Sequence, residues 1–435
     1  MLLRNLIRIF VLIFISLFLY SCPEVTLPGD ITGIVTDAET SEPIQVATVK
    51  INQTDDSTLT GNDGRYLIKN VPPGEYEIKA SKFSYKTKKE NVEVLSAETQ
   101  SIDFTLPEIP LPEISVGYLD FCLDSSLFFT ISNTSPEPLA FAIKKSQSWI
   151  TVSPSAGVIG NETAIFFNVA IDRTGLSTDT MKESITLISV IGTDEIPDIK
   201  INIYLNGCYD PRTNVNHEVV KIGPQIWMKE NLKVTSYLDG KNIPVVEGNS
   251  NWSALTATDK ACCWYNNNEV YKDLYGVLYT RAAVMNGAAS SSASPSGVQG
   301  ICPAGWHVPS LNEWSALSDY LASKDCGCGN MEYSVVKSLA ATSGWDTCLN
   351  QPCAIGYNQW SNNSSGFSAR PGGVRDYADG SFLFKNAGIF WHTATEFNAD
   401  WTYGIAINSC DVLPIRLDEV PFKNGCYVRC IKDPN

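Results

Sequence analysis

Short stretches in which apolar and polar residues alternate dominate the first half of the chain. Ile44 to Ile51 and Tyr76 to Ala80 alternate as strands with one buried face do, and turn-forming clusters such as "NDG" and "PPG" separate such stretches. Beyond a proline-rich joint, "LPEIPLPEI", the same pattern returns in "LFFTISN", "LAFAIKK", "WITVSPSAGVI", "AIFFNVAID" and "ITLISVIG". The spacing predicts two β-sandwiches in series, over residues 30–107 and 108–207.

The pattern changes in residues 208–435, where long irregular stretches separate a few periodic ones. Ser310 followed by Glu313 predicts a capping box, and a helix should run from Leu311 to about Ser323 with Trp314 facing the core. A second helix is expected over about 331–341. This region also holds nine of the ten Trp, eleven of the thirteen Cys and all three His. Such cysteine density predicts a disulfide-bonded domain in an exported protein.

The first 21 residues have the form of a secretory signal. Arg4 and Arg8 precede a short apolar run, which ends in "LYSC" at Cys22. This tetrapeptide resembles the lipobox of bacterial lipoproteins, which implies that Cys22 is the lipidated first residue of the mature chain and that residues 22–29 form a tether. We therefore expect a lipid anchor in the outer membrane of the cell envelope, and the sequence leaves open which face of that membrane the protein occupies.

The net charge of −15 comes from 47 acidic and 32 basic residues, with no run of Lys or Arg along the chain. A nucleic acid is therefore not an expected partner, because binding to phosphates requires clustered cations. The hydrophobic content of 44% is normal for packed globular domains. Charge and composition thus predict an ordinary soluble fold behind the anchor.

The two predicted sandwiches each resemble a known module. "GIVTD", "PIQVATV", "GRY" and "VPPGEY" in residues 30–107 resemble the carboxypeptidase regulatory-like domain, which implies a transthyretin-like sandwich without catalytic residues. Asn133 and the segment from Trp149 to Gly157 resemble the BACON domain, an Ig-like module found with carbohydrate-active proteins. The second resemblance implies either glycan binding or a spacer. Trp149 itself is expected in the core.

The last region resembles the Fibrobacter succinogenes major paralogous domain. The resemblance rests on "KIGPQIWMKENL", "CCWYNNN", "YGVLYTRAAV", "GICPAGWHVPSLNEW", "NNSSGFSARPGGVR", "GIFWHTATE" and "YVRCIKD". It implies an α+β, C-type-lectin-like fold, and its motifs place Cys302 and Cys430 together as the first expected disulfide. Cys348 with Cys353, and Cys410 with Cys426, are local expectations, and Cys122 with Cys208 would bridge two domains. The sequence alone does not fix the connectivity.

No catalytic or metal-binding motif stands out in this last domain. His307 and His392 each lie beside a Trp, and neither has the spacing of a zinc ligand, so we expect structural histidines and treat His307 as a lone imidazole. "QPC" and "WTY" stand where calcium-dependent lectins carry carboxylates, so no calcium, other metal or cofactor is expected. The fold that the resemblance implies is related to that of formylglycine-generating enzymes, which leaves an enzyme as a minor alternative.

The sequence thus predicts a non-catalytic lipoprotein whose two sandwiches present a lectin-like head. The head is expected to bind a glycan or a protein through aromatic and polar residues on its loops. The expected residues are Trp264, Tyr265, Trp360, Asn362, Asn363, Arg370, Arg375 and Asp376. The alternative is a structural component of an envelope assembly with no small ligand.

Overall fold

The computed structural model describes residues 27–54, 56–192, 194–324, 335–412 and 415–434. The lipidation site predicted at Cys22 lies outside these residues. Within them, no helix has the length and apolar character that crossing a membrane would require.

The first unit is a sandwich of two sheets. Its strands are β1 (Gly29–Asp37), β2 (Thr48–Ile51), β3 (Ser57–Leu59), β4 (Arg65–Val71), β5 (Gly74–Ser81), β6 (Lys88–Val94), β7 (Thr99–Ser101) and β8 (Phe104–Leu106). One sheet has the order β4-β1-β7 with β8 also on β1, and the other has the order β3-β2-β5-β6. Buried and less buried positions alternate along β1, so that one face of the strand packs into the core.

The second unit is a larger sandwich with its own apolar core. Its strands are β9 (Glu113–Ile114), β10 (Tyr118–Cys122), β11 (Ser126–Ser132), β12 (Leu139–Lys145), β13 (Ile150–Ser153), β14 (Ala156–Ile159), β15 (Ala164–Ile171), β16 (Met181–Ile191), β17 (Asp194–Glu195) and β18 (Ile199–Leu205). The sheets have the orders β10-β18-β16-β12-β14 and β13-β15-β11-β9. Trp149 packs, partly buried, against the core between them.

The third unit, which we call the head, combines short helices with small sheets. Its strands are β19 (Gly207–Asp210), β20 (Val215–Ile222), β21 (Gln225–Met228), β22 (Cys262–Cys263), β23 (Leu278–Tyr279), β24 (Trp306–His307), β25 (Gly372–Arg375), β26 (Phe382–Lys385), β27 (Gly388–Glu396), β28 (Trp401–Asn408), β29 (Arg416–Pro421) and β30 (Ile431–Lys432). Its helices are α1 (Asn249–Ser253), α2 (Glu269–Tyr275), α3 (Arg281–Met285), α4 (Leu311–Ala322) and α5 (Val335–Leu339), with 3-10 turns at Tyr265–Asn267 and Gln359–Ser361.

Helix α4 confirms the predicted capping box. The Ser310 hydroxyl accepts a hydrogen bond from the Glu313 amide at 3.2 Å, and the Glu313 carboxylate accepts one from the Ser310 amide at 2.9 Å. Trp314 is 1% exposed. Its ring lies 4.7 Å from that of Trp227 and 5.3 Å from that of Trp391, between centroids. The helix therefore buries its apolar stripe in an aromatic core.

The second unit and the head share a packed joint. The stacked rings of Tyr204 and Tyr209 lie 3.5 Å apart, and Lys432 of the head forms an ion pair with Asp124 at 3.1 Å. Cys122 of the second unit lies in the same buried apolar cluster as Cys208. The disulfide considered between these two cysteines is absent, because both thiols are free and buried.

The disulfides partly match the expectation. Cys302 bonds to Cys430, as expected, with 6.0 Å between their Cα atoms. The local pairings were wrong: Cys348 bonds to Cys410 across 62 residues, Cys353 belongs to a different disulfide, and Cys426 is a free, buried thiol. Proximity in sequence misled the prediction because the sheet brings distant loops together.

The predicted fold class is confirmed: two β-sandwiches precede a disulfide-bonded unit of mixed helix and strand. The second helix was expected over about 331–341. The structure describes it as α5 (Val335–Leu339), which ends two residues before the expected end.

Candidate functional site

The eight residues predicted to bind a ligand do not form one surface. Trp264, Tyr265, Asn362 and Arg375 are buried, at 8%, 6%, 6% and 0% exposure. They cannot present their side chains to a ligand at the surface, so this part of the prediction was wrong. Trp360 and Arg370 are exposed, and Asn363 and Asp376 are half-buried.

Arg375 shows why a motif residue can be structural. Its guanidinium donates to the backbone carbonyls of Val246 and Gly248, both at 2.8 Å, and of Gly380 at 3.0 Å. The rings of Trp252 and Phe382 flank it at 4.4 and 4.6 Å. Arg375 therefore ties the segment 246–248 to the turn between β25 and β26, and its charge is satisfied by carbonyl dipoles and aromatic faces.

Trp360 is the most exposed large hydrophobic side chain that the structure describes, at 78% exposure. It lies in the 3-10 turn Gln359–Ser361, which is hydrogen-bonded to Trp345. The Gln359 side chain accepts from the Trp345 amide at 3.1 Å and donates to the Trp345 carbonyl at 2.7 Å. Two hydrogen bonds thus tie the turn that carries Trp360 to the backbone of Trp345.

Lys337 holds the same loop from inside the head. This side chain is only 6% exposed, and its ammonium donates to the carbonyls of Ala354, Tyr357 and Asn358 and, at 2.7 Å, to the Asn362 side chain. Burial lowers the pKa of Lys337 because the charged form loses its hydration. The one sign of this role in the sequence is a Lys inside the apolar helix "VVKSL".

Asn362 and a disulfide complete the support of what we call the Trp360 loop, residues 345–363. The Asn362 amide donates to the Ala341 carbonyl at 3.0 Å and to the Ile355 carbonyl at 3.2 Å. The Cys348–Cys410 disulfide joins the loop to the segment after β28. Trp360 therefore projects from an ordered loop, which reduces the entropy that a ligand must overcome on binding.

His307 is not the lone imidazole that we expected. Its Nε2 lies 2.8 Å from Glu313 Oε1, and its Nδ1 lies 2.5 Å from Asp433 Oδ1. The three side chains form what we call the His307 latch, which joins β24, α4 and the segment after β30. Sequence reasoning missed the latch because it placed Glu313 only at the helix cap and gave Asp433 no role.

The His307 latch is already satisfied by its own hydrogen bonds. Burial disfavours the imidazolium, but the hydrogen bonds and charges of Glu313 and Asp433 outweigh burial and raise the pKa of His307. The second Glu313 oxygen accepts from the amides of Ser310 and Ser296. A cleft of about 490 Å³ borders Glu313 and Asp433. With both ring nitrogens engaged, the imidazole has no atom left for proton transfer to a substrate in this arrangement.

His392 has the structural role that was expected. It is 0% exposed, and its Nε2 lies 2.9 Å from the carbonyl oxygen of Tyr279. Burial lowers the pKa of His392 to about 4, so the ring is neutral at physiological pH. Among the described residues, no group of three or more His, Cys, Asp or Glu side chains is placed to hold a metal ion.

Two family models match the chain. Residues 220–432 match the Fibrobacter succinogenes major domain, and residues 30–107 match the carboxypeptidase regulatory-like domain. Both resemblances seen in the sequence are therefore confirmed. The BACON resemblance of the second unit stays a prediction. No curated protein matches the chain.

Similarity to solved structures is limited. A protein from Bacteroides uniformis, to which carbohydrate binding is provisionally attributed, is 13% identical, covers 41% of this chain and 98% of its own, and has a TM-score of 0.19. The major pilin SpaD from Corynebacterium diphtheriae is 14% identical, covers 40% of this chain and 64% of its own, and has a TM-score of 0.26. With scores this low, neither similarity carries an argument about function.

Proposed function

We propose that this chain is an exported lipoprotein whose head binds a glycan through the Trp360 loop. Cys22 would carry the lipid anchor in the outer membrane, and the two sandwiches would act as spacers that place the head away from the membrane. The proposed function is binding without catalysis. The single observation that carries it is the 78% exposure of Trp360 on a loop whose backbone is fixed by buried polar side chains.

The surroundings of Trp360 favour a sugar as the ligand. The flat face of an indole can stack on the C–H face of a pyranose ring, while neighbouring polar groups bond to the hydroxyls. Asn358 and Ser361, both exposed, lie within two residues of Trp360 in the chain. A stable protein interface would instead bury roughly 800 Å² of surface on each partner, with an apolar centre.

The experiment is a glycan array probed with the full chain and with Trp360→Ala. We expect the variant to lose its glycan signal while keeping the unfolding midpoint of the parent, because an exposed side chain contributes about 0.5 kcal/mol or less to stability. Phe166→Ala in the second unit is the matched control, since Phe166 is 75% exposed. Equal glycan signals from the parent and Trp360→Ala would refute the proposal.

Assembly with another envelope protein is the second candidate. It is favoured by Leu349, which lies in the same loop and is 74% exposed. Cross-linking in whole cells would distinguish the two candidates. A defined protein adduct that is lost with Leu349→Ala, together with a blank glycan array, would support assembly.

The anchor can be tested separately in cells. We expect radiolabelled palmitate to be incorporated into the parent chain and not into Cys22→Ser, and protease added to intact cells to digest the head if it faces outward. Labelling of Cys22→Ser at the parental level would contradict lipidation at this residue.

A further inference from the structure

Four cationic side chains line one small pocket of the head. Lys229, Lys233, Arg370 and Arg429 surround it with a single acidic residue, Glu230. This local excess of positive charge contrasts with the net charge of −15 for the whole chain. Lys229 and Lys233 follow β21, Arg370 precedes β25 and Arg429 precedes β30. The pocket lies where these three segments meet.

Arg429 is buried without a carboxylate partner among the described residues. It is 1% exposed, and all its hydrogen bonds go to neutral acceptors: the side-chain oxygen of Asn231, at 3.2 and 3.0 Å, and the carbonyl of Phe367. The Phe367 ring lies 4.2 Å from the guanidinium carbon. These bonds engage three of the five N–H groups of a guanidinium, so two donors stay available.

The other cations of the pocket divide into two kinds. Lys229 forms an ion pair with Glu218 at 2.7 Å, and Lys233 forms one with Glu230 at 2.8 Å. Arg370 is exposed, and its guanidinium has neither an ion pair nor a hydrogen bond within the described part of the chain. The pocket is therefore bordered by two guanidinium groups that form no ion pair within the described part of the chain.

Burying an unpaired charge is costly, and an anion in the pocket would remove that cost. Burial lowers the pKa of Arg429 to about 9, as the nearby Arg370 also does, while Glu230 opposes the shift. The pocket is small, about 20 Å³, which is room for one water or one ligand oxygen. One oxygen of a carboxylate fits that space, and the planar group matches the guanidinium fork better than a tetrahedral sulfate or phosphate does.

We propose that Arg429 and Arg370 form a carboxylate-binding site, which accepts the acid group of a hexuronate. The hexuronate part of the inference rests on the proposed glycan binding. The carboxylate part rests on the pocket alone, and it does not depend on Trp360.

The test is calorimetric titration of the full chain with sodium glucuronate. Glucose, sodium sulfate and N-acetylalanine serve as probes for a neutral sugar, a tetrahedral anion and a peptide carboxylate. We expect glucuronate to bind more tightly than all three. Losing a charge-assisted hydrogen bond weakens binding on the order of ten- to a hundredfold, and we expect this loss for Arg370→Gln.

Two further variants keep the result interpretable. Arg65→Gln removes an exposed Arg from the first unit and should leave the affinity for glucuronate unchanged. Phe166→Ala, the exposed aromatic control of the second unit, should also leave it unchanged. The glycan array of Trp360→Ala is read separately from this titration, so that a failure of the proposed glycan site and a failure of this pocket are told apart. Arg370→Gln is preferred to a change at Arg429 because Arg370 is exposed and its loss should not disturb folding.

Four outcomes would overturn all or part of the proposal. Equal affinity of Arg370→Gln and the parent would remove Arg370 from the site, and glucose binding as tightly as glucuronate would remove the carboxylate requirement. Tighter binding of sulfate would mean that the anion is not a carboxylate. N-acetylalanine binding as tightly as glucuronate would assign the pocket to a peptide carboxylate and overturn the hexuronate part.

Discussion

His307 and Arg429 are both buried basic side chains of the head, at 1% exposure each, yet their surroundings differ. His307 lies between the carboxylates of Glu313 and Asp433, whereas the hydrogen bonds of Arg429 reach only neutral oxygens. The pKa of His307 is raised despite burial, and that of Arg429 is lowered because of it. The charges around His307 compensate one another within the head, whereas the lack of an ion pair at Arg429 is the basis of the carboxylate site that we propose.

The largest effect should follow from Glu313→Ala. The substitution leaves the His307 ring and the amides of Ser310 and Ser296 without their acceptor. Breaking a buried ion pair on one side typically costs about 3–5 kcal/mol, so the free energy of unfolding should fall by about that amount. Denaturant unfolding measures it, with Glu247→Ala as the exposed control. A loss no larger than that of the control would mean that the latch does not stabilise the head.

Arg429→Met should have a smaller effect, of about 1–3 kcal/mol in the same measurement. The substitution removes hydrogen bonds to Asn231 and Phe367, but it also removes the cost of burying an unpaired charge. The Asn231 oxygen keeps a hydrogen bond from the Trp391 indole at 2.9 Å. A destabilisation equal to that of Glu313→Ala would contradict the distinction between a complete and an incomplete cluster.

The smallest effect should be the pH dependence of the His307 latch. Because the folded state raises the pKa of His307 above its ordinary value of 6.5, the stability that this contact adds is fully present below pH 6.5. It is lost as the pH rises through the folded pKa. Asp433 is half-exposed, with 47% of its side chain accessible, so its share should be about 1 kcal/mol or less.

Asp433→Asn isolates this contribution. Thermal unfolding of the parent and the variant should differ most below pH 6.5, and the difference should shrink as the pH rises. Subtracting the two curves removes the other titrating groups, such as His392, whose pKa is lowered to about 4. A difference that grows with rising pH would have the wrong sign for an imidazolium contact.

Much of the fold could be predicted from local patterns. The alternation along β1 and the spacing of Ser310 and Glu313 depend on neighbours within one element, so the sequence contains the information. The candidate site was harder, because Trp360 and Trp264 both lie in polar, loop-like stretches of sequence. Trp360 is 78% exposed and Trp264 is 8% exposed, because the packing of the head covers Trp264 and leaves Trp360 uncovered.

Local patterns and recognisable motifs specify the units, their order and the capped helix. The Cys302–Cys430 disulfide was an expectation from the family resemblance, and the structure confirms it. Tertiary packing brings Cys348 to Cys410, surrounds Arg375 with carbonyls and places Arg429 and Arg370 at one pocket. These contacts join residues far apart in the chain. Their formation depends on the packing of the whole head, which no local pattern encodes.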